Sequence, residues 1–290
     1  MPVITRTVRK QSRSKPTLEG AGVHLRRAFG FGDTSLSDPF LLLDDFRGDS
    51  PEQYEAGFPW HPHRGIETIT YMLAGEVAHG DSLGNRGVIG PGDVQWMTAG
   101  SGIIHQEMPQ GDSSGRMEGF QLWANLPASD KMSKPRYREV KDADIPDVAA
   151  DGVNVRIICG EFNGIKGPIT DVTIAPQYLD VRVSANATFT HPTPSDHTVI
   201  AYIYAGNGDF DPNQEMTADN NTLLIFNEGD QIQVTAGAEG VRFLLISGRP
   251  LREPVAWQGP IVMNTRAELE TAYRELQNGT FIKASGKKGV

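Results

Sequence analysis

His61-Pro62-His63 places two imidazoles at i and i+2, and in an extended strand that spacing sends both side chains to one face. Neutral imidazole nitrogens ligate borderline transition metals. Pro62 has no N–H to give a sheet ladder, so the segment belongs at a sheet edge or strand start, near a mouth that a small molecule can enter. About forty residues later, Ile103-Ile104-His105-Gln106-Glu107-Met108 reads as another strand, and the same parity puts His105 and Glu107 on one face beside Ile103. The two pairs supply three nitrogens and one carboxylate. That donor set suits Fe(II), Mn, Ni, Cu(II) or Zn and leaves two positions open at an octahedral metal, as chemistry requires and a structural clip does not. Glu67 shares strand parity with His61 and His63 if no bulge intervenes, so spacing alone leaves open whether Glu67 or Glu107 completes the set. His24, His79, His191 and His197 lack such partners and read as surface or hydrogen-bonding residues.

The elements that must position these residues are strands. Short runs rich in Val, Ile, Thr and aromatics recur between Gly, Asn, Asp and Pro, as in 66–73, 197–204 and 241–247. The chain is therefore mainly β. Segments 69–93 and 200–230 look like crude copies of one unit, each an apolar strand, an Ala-Gly turn and a later strand ending in Gly-Asp. Two similar β domains follow, joined through the polar stretch 126–156 with Pro127, Pro135 and Pro146. The expected division is 1–140, carrying the metal motifs, and 141–290. One helix is expected at 265–278: Thr265 and Glu268 have capping-box spacing, Leu269, Ala272, Tyr273 and Leu276 share a face, and Gly279 follows. The final KASGKKGV is polar, with nothing to dock it.

Composition excludes several classes. No apolar run approaches the length of a bilayer span, and the single Cys159 allows no intrachain disulfide, which fits a reducing, cytoplasmic setting. Net charge is 27 minus 36, or −9, which argues against direct nucleic-acid binding. The start is the exception, with Arg6, Arg9, Lys10, Arg13, Lys15, Arg26 and Arg27 against Glu19 alone. Its composition is that of a transit peptide, but it lacks a clean amphipathic apolar face, and Val3, Thr5 and Thr7 alternate like a strand.

The run HPHRGIETITYMLAGEVAHGDSLGNRGVIGPGDVQWMTAGSGIIHQEMP (61–109) resembles the pirin family of the cupin superfamily. FLLLDDF (40–46), FQLWANLPASDKM (120–132) and GPIVMNTRAELETAYRELQNGTF (259–281) extend the resemblance into both halves. It implies a bicupin: two small β-barrels facing each other, the N-terminal one holding one iron and the C-terminal one a degenerate cupin without metal. The family's ligands match His61, His63, His105 and Glu107, which favours Glu107 over Glu67. Glu67 still meets the general cupin spacing after His61 and His63, although Gly75 lies one place beyond its usual position, so Glu67 stays a candidate for supporting the ligands.

Pirin-like proteins are described as quercetin 2,3-dioxygenases, so the resemblance implies an Fe(II)-dependent enzyme that cleaves a flavonol-like substrate with O2, Glu107 also accepting the 3-hydroxyl proton. Phe58, Trp60 and Trp96 stand near the motifs and are candidates to wall a flat substrate. The family also implies an alternative, a redox-sensing iron protein that acts as a coregulator through contact with a protein partner. A third reading is a zinc or manganese isomerase or hydrolase that needs no oxygen. An open cavity of about 300 Å³ or more separates the enzyme from the sensor.

Overall fold

The computed structural model describes residues 2–213 and 217–283. The rest of the polar end, 284–290, lies outside the described residues. Strands hold 54% of the chain and helices 9%, as expected of a mainly β protein. No described helix is long and apolar enough to cross a membrane.

The chain forms two compact units. One comprises Lys15–Thr34, Phe40–Asp142 and the residues from Arg252 onward; the other comprises the residues up to Ser14, Ser35–Pro39 and Ala143–Leu251. Both units are discontinuous in sequence, and each takes in one end of the chain from across the Asp142–Ala143 cut. Two pairings account for this. Val8–Arg13 is a strand that pairs antiparallel with Thr222–Phe226, and Ile261–Met263 lies against the HPHR loop through a parallel bridge from Ile261 to Arg64. The strand begins at Val8, after the Val3, Thr5 and Thr7 alternation, of which only Thr5 makes an isolated bridge, to Gln231, and Arg6 is buried with its guanidinium donating to Thr193 Oγ1, Asn227 O and Pro194 O. Nor is 126–156 a bare connection: Arg136–Val140 adds to the sheet of one unit and Asp147–Ala150 to the other.

The unit that carries the motifs has a seven-stranded antiparallel sheet in the order Arg136–Val140, Val94–Thr98, Ile66–Ala74, Glu118–Asn125, Phe40–Asp45, Val23–Phe29, Lys15–Glu19. A four-stranded antiparallel sheet runs Phe58–His63, Ile103–Gln110, Glu76–Asp81, Arg86–Ile89. Val23, Leu25 and Met72 of the first sheet meet Val77 and Ile89 of the second in one apolar cluster, each such side chain contributing about 1.5–3 kcal/mol by leaving water. Period-two burial is clearest in Ile103–Gln110, where Ile103, His105 and Glu107 are buried and Ile104, Gln106 and Met108 less so.

The expected helix forms at Arg266–Gln277 with the Thr265–Glu268 capping box, burying Leu269 and Ala272. With Ala256–Gln258 and Ile261–Met263 it makes a strap over the loop after His63. Arg64, itself buried, pairs with Glu275 at 2.8 Å, donates to Phe281 O at 2.8 Å and lies 4.2 Å over the Phe281 ring. Gly65 has φ +78, and a Cβ there would sit 1.9 Å from Val262 O, so only glycine lets the strap approach. Lys131 Nζ closes this junction by donating to Gly65 O at 2.9 Å, Asn125 Oδ1 at 2.6 Å and Val262 O at 3.0 Å.

The other unit is built on a nine-stranded sheet. Its Ala205-Gly206 step, the counterpart of Ala74-Gly75, lies inside the single strand Thr198–Asp209, where the register against Gln231–Gly248 shifts. Phe162, Phe189, Phe210 and Phe243 fill its core, and His191 stacks on Phe189 with its Nε2 3.0 Å from Gln177 Oε1.

Lys131 gives a stability test. Its replacement by Met takes a donor from three buried acceptors, of which Gly65 O keeps only the 3.4 Å bond from Leu126 N, and is expected to cost about 2–4 kcal/mol in urea melts. Burial pulls Lys131 down to about 7 against the attraction of Glu253 and Glu268. The unfolded chain then binds more protons than the folded one above about pH 7, so the stability difference between the unmodified chain and Lys131→Met should grow as pH rises toward the ordinary lysine range. A difference that shrinks over that range counts against this account.

Candidate metal centre

His61 and His63 leave the edge strand Phe58–His63, which pairs on one side with Ile103–Gln110 in a register that sets His105 opposite His61. Parity within one strand and pairing across to the next thus bring all three imidazoles to one face. Their ring centroids stand 4.8 Å (His61–His63), 4.3 Å (His61–His105) and 5.0 Å (His63–His105) apart. One nitrogen from each lies within 4.8 Å of the others, a group that can hold a metal ion.

Hydrogen bonds on the far side of each ring decide which nitrogen faces the group. His61 Nδ1 is 2.8 Å from Pro59 O, and His63 Nδ1 is 3.0 Å from Pro260 O. A carbonyl only accepts, so both rings carry hydrogen on Nδ1 and a lone pair on Nε2. Those two Nε2 atoms face each other at 3.0 Å. Two lone pairs at that distance need a cation between them. A proton is disfavoured, because burial and then the neighbouring His61 pull His63 down to about 3 despite its bond to Pro260. Burial, followed by the surrounding imidazoles, also pulls His105 well below its ordinary value. His105 Nε2 is buried with no hydrogen-bond partner. The residues present therefore fit a metal ion on three neutral Nε2 donors.

The carboxylates separate. Glu107 lines the same cavity as His61 and His63, although a bulge between His105 and Glu107 sets it against Phe58. Thr70 Oγ1 is 3.3 Å from Glu107 Oε1 and 2.6 Å from the Gln121 amide. A hydroxyl has one hydrogen, and the shorter contact gives it to Gln121 Oε1, with Glu107 Oε1 the longer alternative. Glu67 is elsewhere: the chain turns at Gly65 into the seven-stranded sheet, and Thr70, of opposite parity, is the residue that faces the cavity. Glu67 accepts from Thr98 Oγ1 at 2.6 Å.

The cavity measures about 610 Å³. Val23, Leu25, Leu42, Phe46, Val77 and Met117 give it apolar walls. Of the three aromatics expected around it, Phe58 lines it; Trp60 points outward at 56% exposure, and Trp96 is buried among other residues with Arg138 over its ring. Trp123 and Trp257 stand there instead, their rings 6.0 Å apart, with Trp123 edge-on to His63 at 5.0 Å. Away from the histidines, Arg27 holds Asp44 through two bonds of 2.8 and 2.7 Å and Glu19 at 2.8 Å.

Of the two readings the sequence gave His79, surface or hydrogen-bonding, the structure shows the second. His79 is buried, stacks on Tyr137 at 4.8 Å, and puts its Nδ1 3.5 Å from His105 Nδ1 and its Nε2 3.4 Å from Asp81 Oδ2. The signal was available, since His79-Gly80-Asp81 is a third i, i+2 pair on a strand. Pro260 and Trp257 carried no local signal at all.

Residues 22–124 match the pirin family model and residues 178–282 the pirin C-terminal cupin domain model. The chain belongs to the pirin family. It is 45% identical over 283 residues to a pirin-like protein of Caulobacter vibrioides, covering 97% of this chain and 100% of that one. The crystal structure of a quercetin 2,3-dioxygenase from Acinetobacter baumannii superposes with a TM-score of 0.87 at 34% identity, over 96% of this chain and 98% of that one. A bacterial pirin from Escherichia coli, solved in complex with nickel(II), has a TM-score of 0.65 at 21% identity over 83% and 99% of the two chains, a likeness of fold. The pirin fold thus consists here of two cupin domains, one carrying the histidine group.

Replacing His61 or His105 by Ala should abolish metal binding with the fold intact, because the core is apolar and independent of the site. Elemental analysis beside circular dichroism tests this. Full metal content in both variants would remove the histidines as ligands.

Proposed function

We propose that this pirin is a metal-dependent dioxygenase that cleaves a quercetin-like flavonol with O2, using one Fe(II) ion held by His61, His63, His105 and Glu107. The observation that carries the reading is the cavity of about 610 Å³ opening onto His61, His63 and Glu107, twice the roughly 300 Å³ that a bicyclic ligand needs. The solved quercetin 2,3-dioxygenase of the same architecture supports the same substrate class. A bound ion of this kind supplies Lewis acidity toward an enolate oxygen and electronic access to O2.

The chain's own residues supply the rest. Glu107 accepts the proton of the substrate's 3-hydroxyl at a carboxylate oxygen, beside Thr70 Oγ1 at 3.3 Å on the cavity wall. Trp123, Trp257 and Phe58 flank a flat ring system, and the Val, Leu and Met walls exclude water from it. Arg27, Glu19 and Asp44 form a second polar place for hydroxyls remote from the reacting end. The reading also takes the protein to act in the cytoplasm on a small molecule, without nucleic acid.

The first test is metal content of protein purified without added metal, then oxygen uptake with quercetin on the same sample. About one ion per chain with rapid uptake supports the dioxygenase. A bound ion without turnover would transfer the weight to a redox sensor that contacts a protein partner, and turnover of another substrate without oxygen would point to an isomerase or hydrolase. Glu107→Gln keeps the side-chain shape but removes the base, and kcat should fall about 10²- to 10⁴-fold. An unchanged kcat would remove Glu107 from proton transfer.

A further inference from the structure

Two of the three histidines orient themselves on backbone carbonyls, His61 on Pro59 O and His63 on Pro260 O. His105 does not. Its Nδ1 faces another imidazole, that of His79, at 3.5 Å. The far nitrogen of His79, Nε2, faces Asp81 Oδ2 at 3.4 Å, and the side chains of His79 and Asp81 are fully buried.

The hydrogens along this chain can be assigned from Asp81 inward. Asp81 Oδ1 accepts from Leu83 N at 2.8 Å and Asn85 N at 3.0 Å, and Oδ2 accepts from Asn85 Nδ2 at 2.7 Å. Every other partner of this carboxylate is a donor, so it is an acceptor toward His79 as well, and His79 carries its hydrogen on Nε2. His79 Nδ1 then faces His105 Nδ1 as the acceptor, which places the hydrogen of that contact on His105 Nδ1. That hydrogen leaves the His105 lone pair on Nε2, the buried atom with no hydrogen-bond partner. Tyr137 fixes the plane of the relay by stacking on His79 at an interplanar angle of 26°.

We infer that His79, backed by Asp81, is a positioning residue that fixes the tautomer and ring orientation of His105 and thereby presents His105 Nε2 to the metal. The inference rests on the reading of His61, His63 and His105 as ligands. It makes the His79-Gly80-Asp81 pair a functional part of the centre rather than a buried strand, with the hydrogen bond at His79 Nδ1 as the element that matters.

Atom positions make the test specific. In His79→Asn the side-chain oxygen can occupy the place of Nδ1, keeping the acceptor but losing the ring that stacks on Tyr137. His79→Phe keeps a ring and loses the acceptor. His79→Gln reaches the place of Nε2 instead. Cobalt(II) affinity, measured by competition with a chelator and by the visible absorption of the bound ion, should fall about 10- to 100-fold in His79→Phe and His79→Gln and stay within a few fold in His79→Asn. Thermal melts of the metal-free proteins should rank otherwise, with Phe above Asn. If His79 is only a packing residue, cobalt affinity will follow the melts, with Phe retaining it and Asn losing it, and the inference fails. The Asn and Gln pair decides the matter should the Phe protein not fold, because equal affinities in those two also overturn it. Unmodified protein that binds no cobalt overturns the ligand reading itself, a result distinct from any ranking of variants.

Discussion

The rest of the centre depends on the approach of His61 Nε2 to His63 Nε2 at 3.0 Å, with both Nδ1 atoms tied to carbonyls. Two lone pairs so placed repel, and burial of His63 disfavours the proton that would otherwise relieve them. The arrangement therefore has a cost that a bound cation offsets, which couples metal binding to the stability of the folded chain. Proline contributes twice: Pro62 gives no ladder hydrogen, so the segment stays at an edge, and the Pro59 and Pro260 carbonyls are the anchors.

One anchor arrives from 197 residues away in sequence. The strap that bears Pro260 is held by groups flanking the motif: Arg64 on Glu275 and Phe281, Gly65 under Val262, and Lys131 bridging Gly65 and Val262. An Arg and a Gly directly after His-Pro-His thus have separate reasons to be there, and neither touches the metal group. Their task is to bring a carbonyl to His63. It follows that the chain beyond Arg252, although remote from the motif in sequence, is part of what makes the imidazoles converge.

What was legible in the sequence is what short-range parity controls. The two i, i+2 pairs, the strand at Ile103–Gln110 and the capped helix need only local geometry to be recognised. Glu67 shows where parity stops: the turn at Gly65 moves the next strand into the other sheet, so counting residues from His63 loses its meaning. Pro260, Trp257 and the exchange of chain ends between the units depend on pairings across most of the chain, which no window of sequence contains. His79 is a different case, since its partner Asp81 stands two residues on and parity alone brings the two together.

The two units show how much of a site lies in side chains rather than architecture. Both are antiparallel, and both carry an Ala-Gly step after an apolar strand. In one, Gly75 ends a strand and the next begins a different sheet, leaving a space that Val, Leu and Met line without filling. In the other, Ala205-Gly206 only shifts the register within a continuous strand, and five phenylalanines together with Val, Ile and Leu fill the interior. His191 there stacks on Phe189 and meets the Gln177 amide, so its nitrogen is spent on a neutral partner. A cavity and a ligand group come together in the unit whose strands leave its interior open; where side chains fill the interior, the same strand pattern yields a packed core.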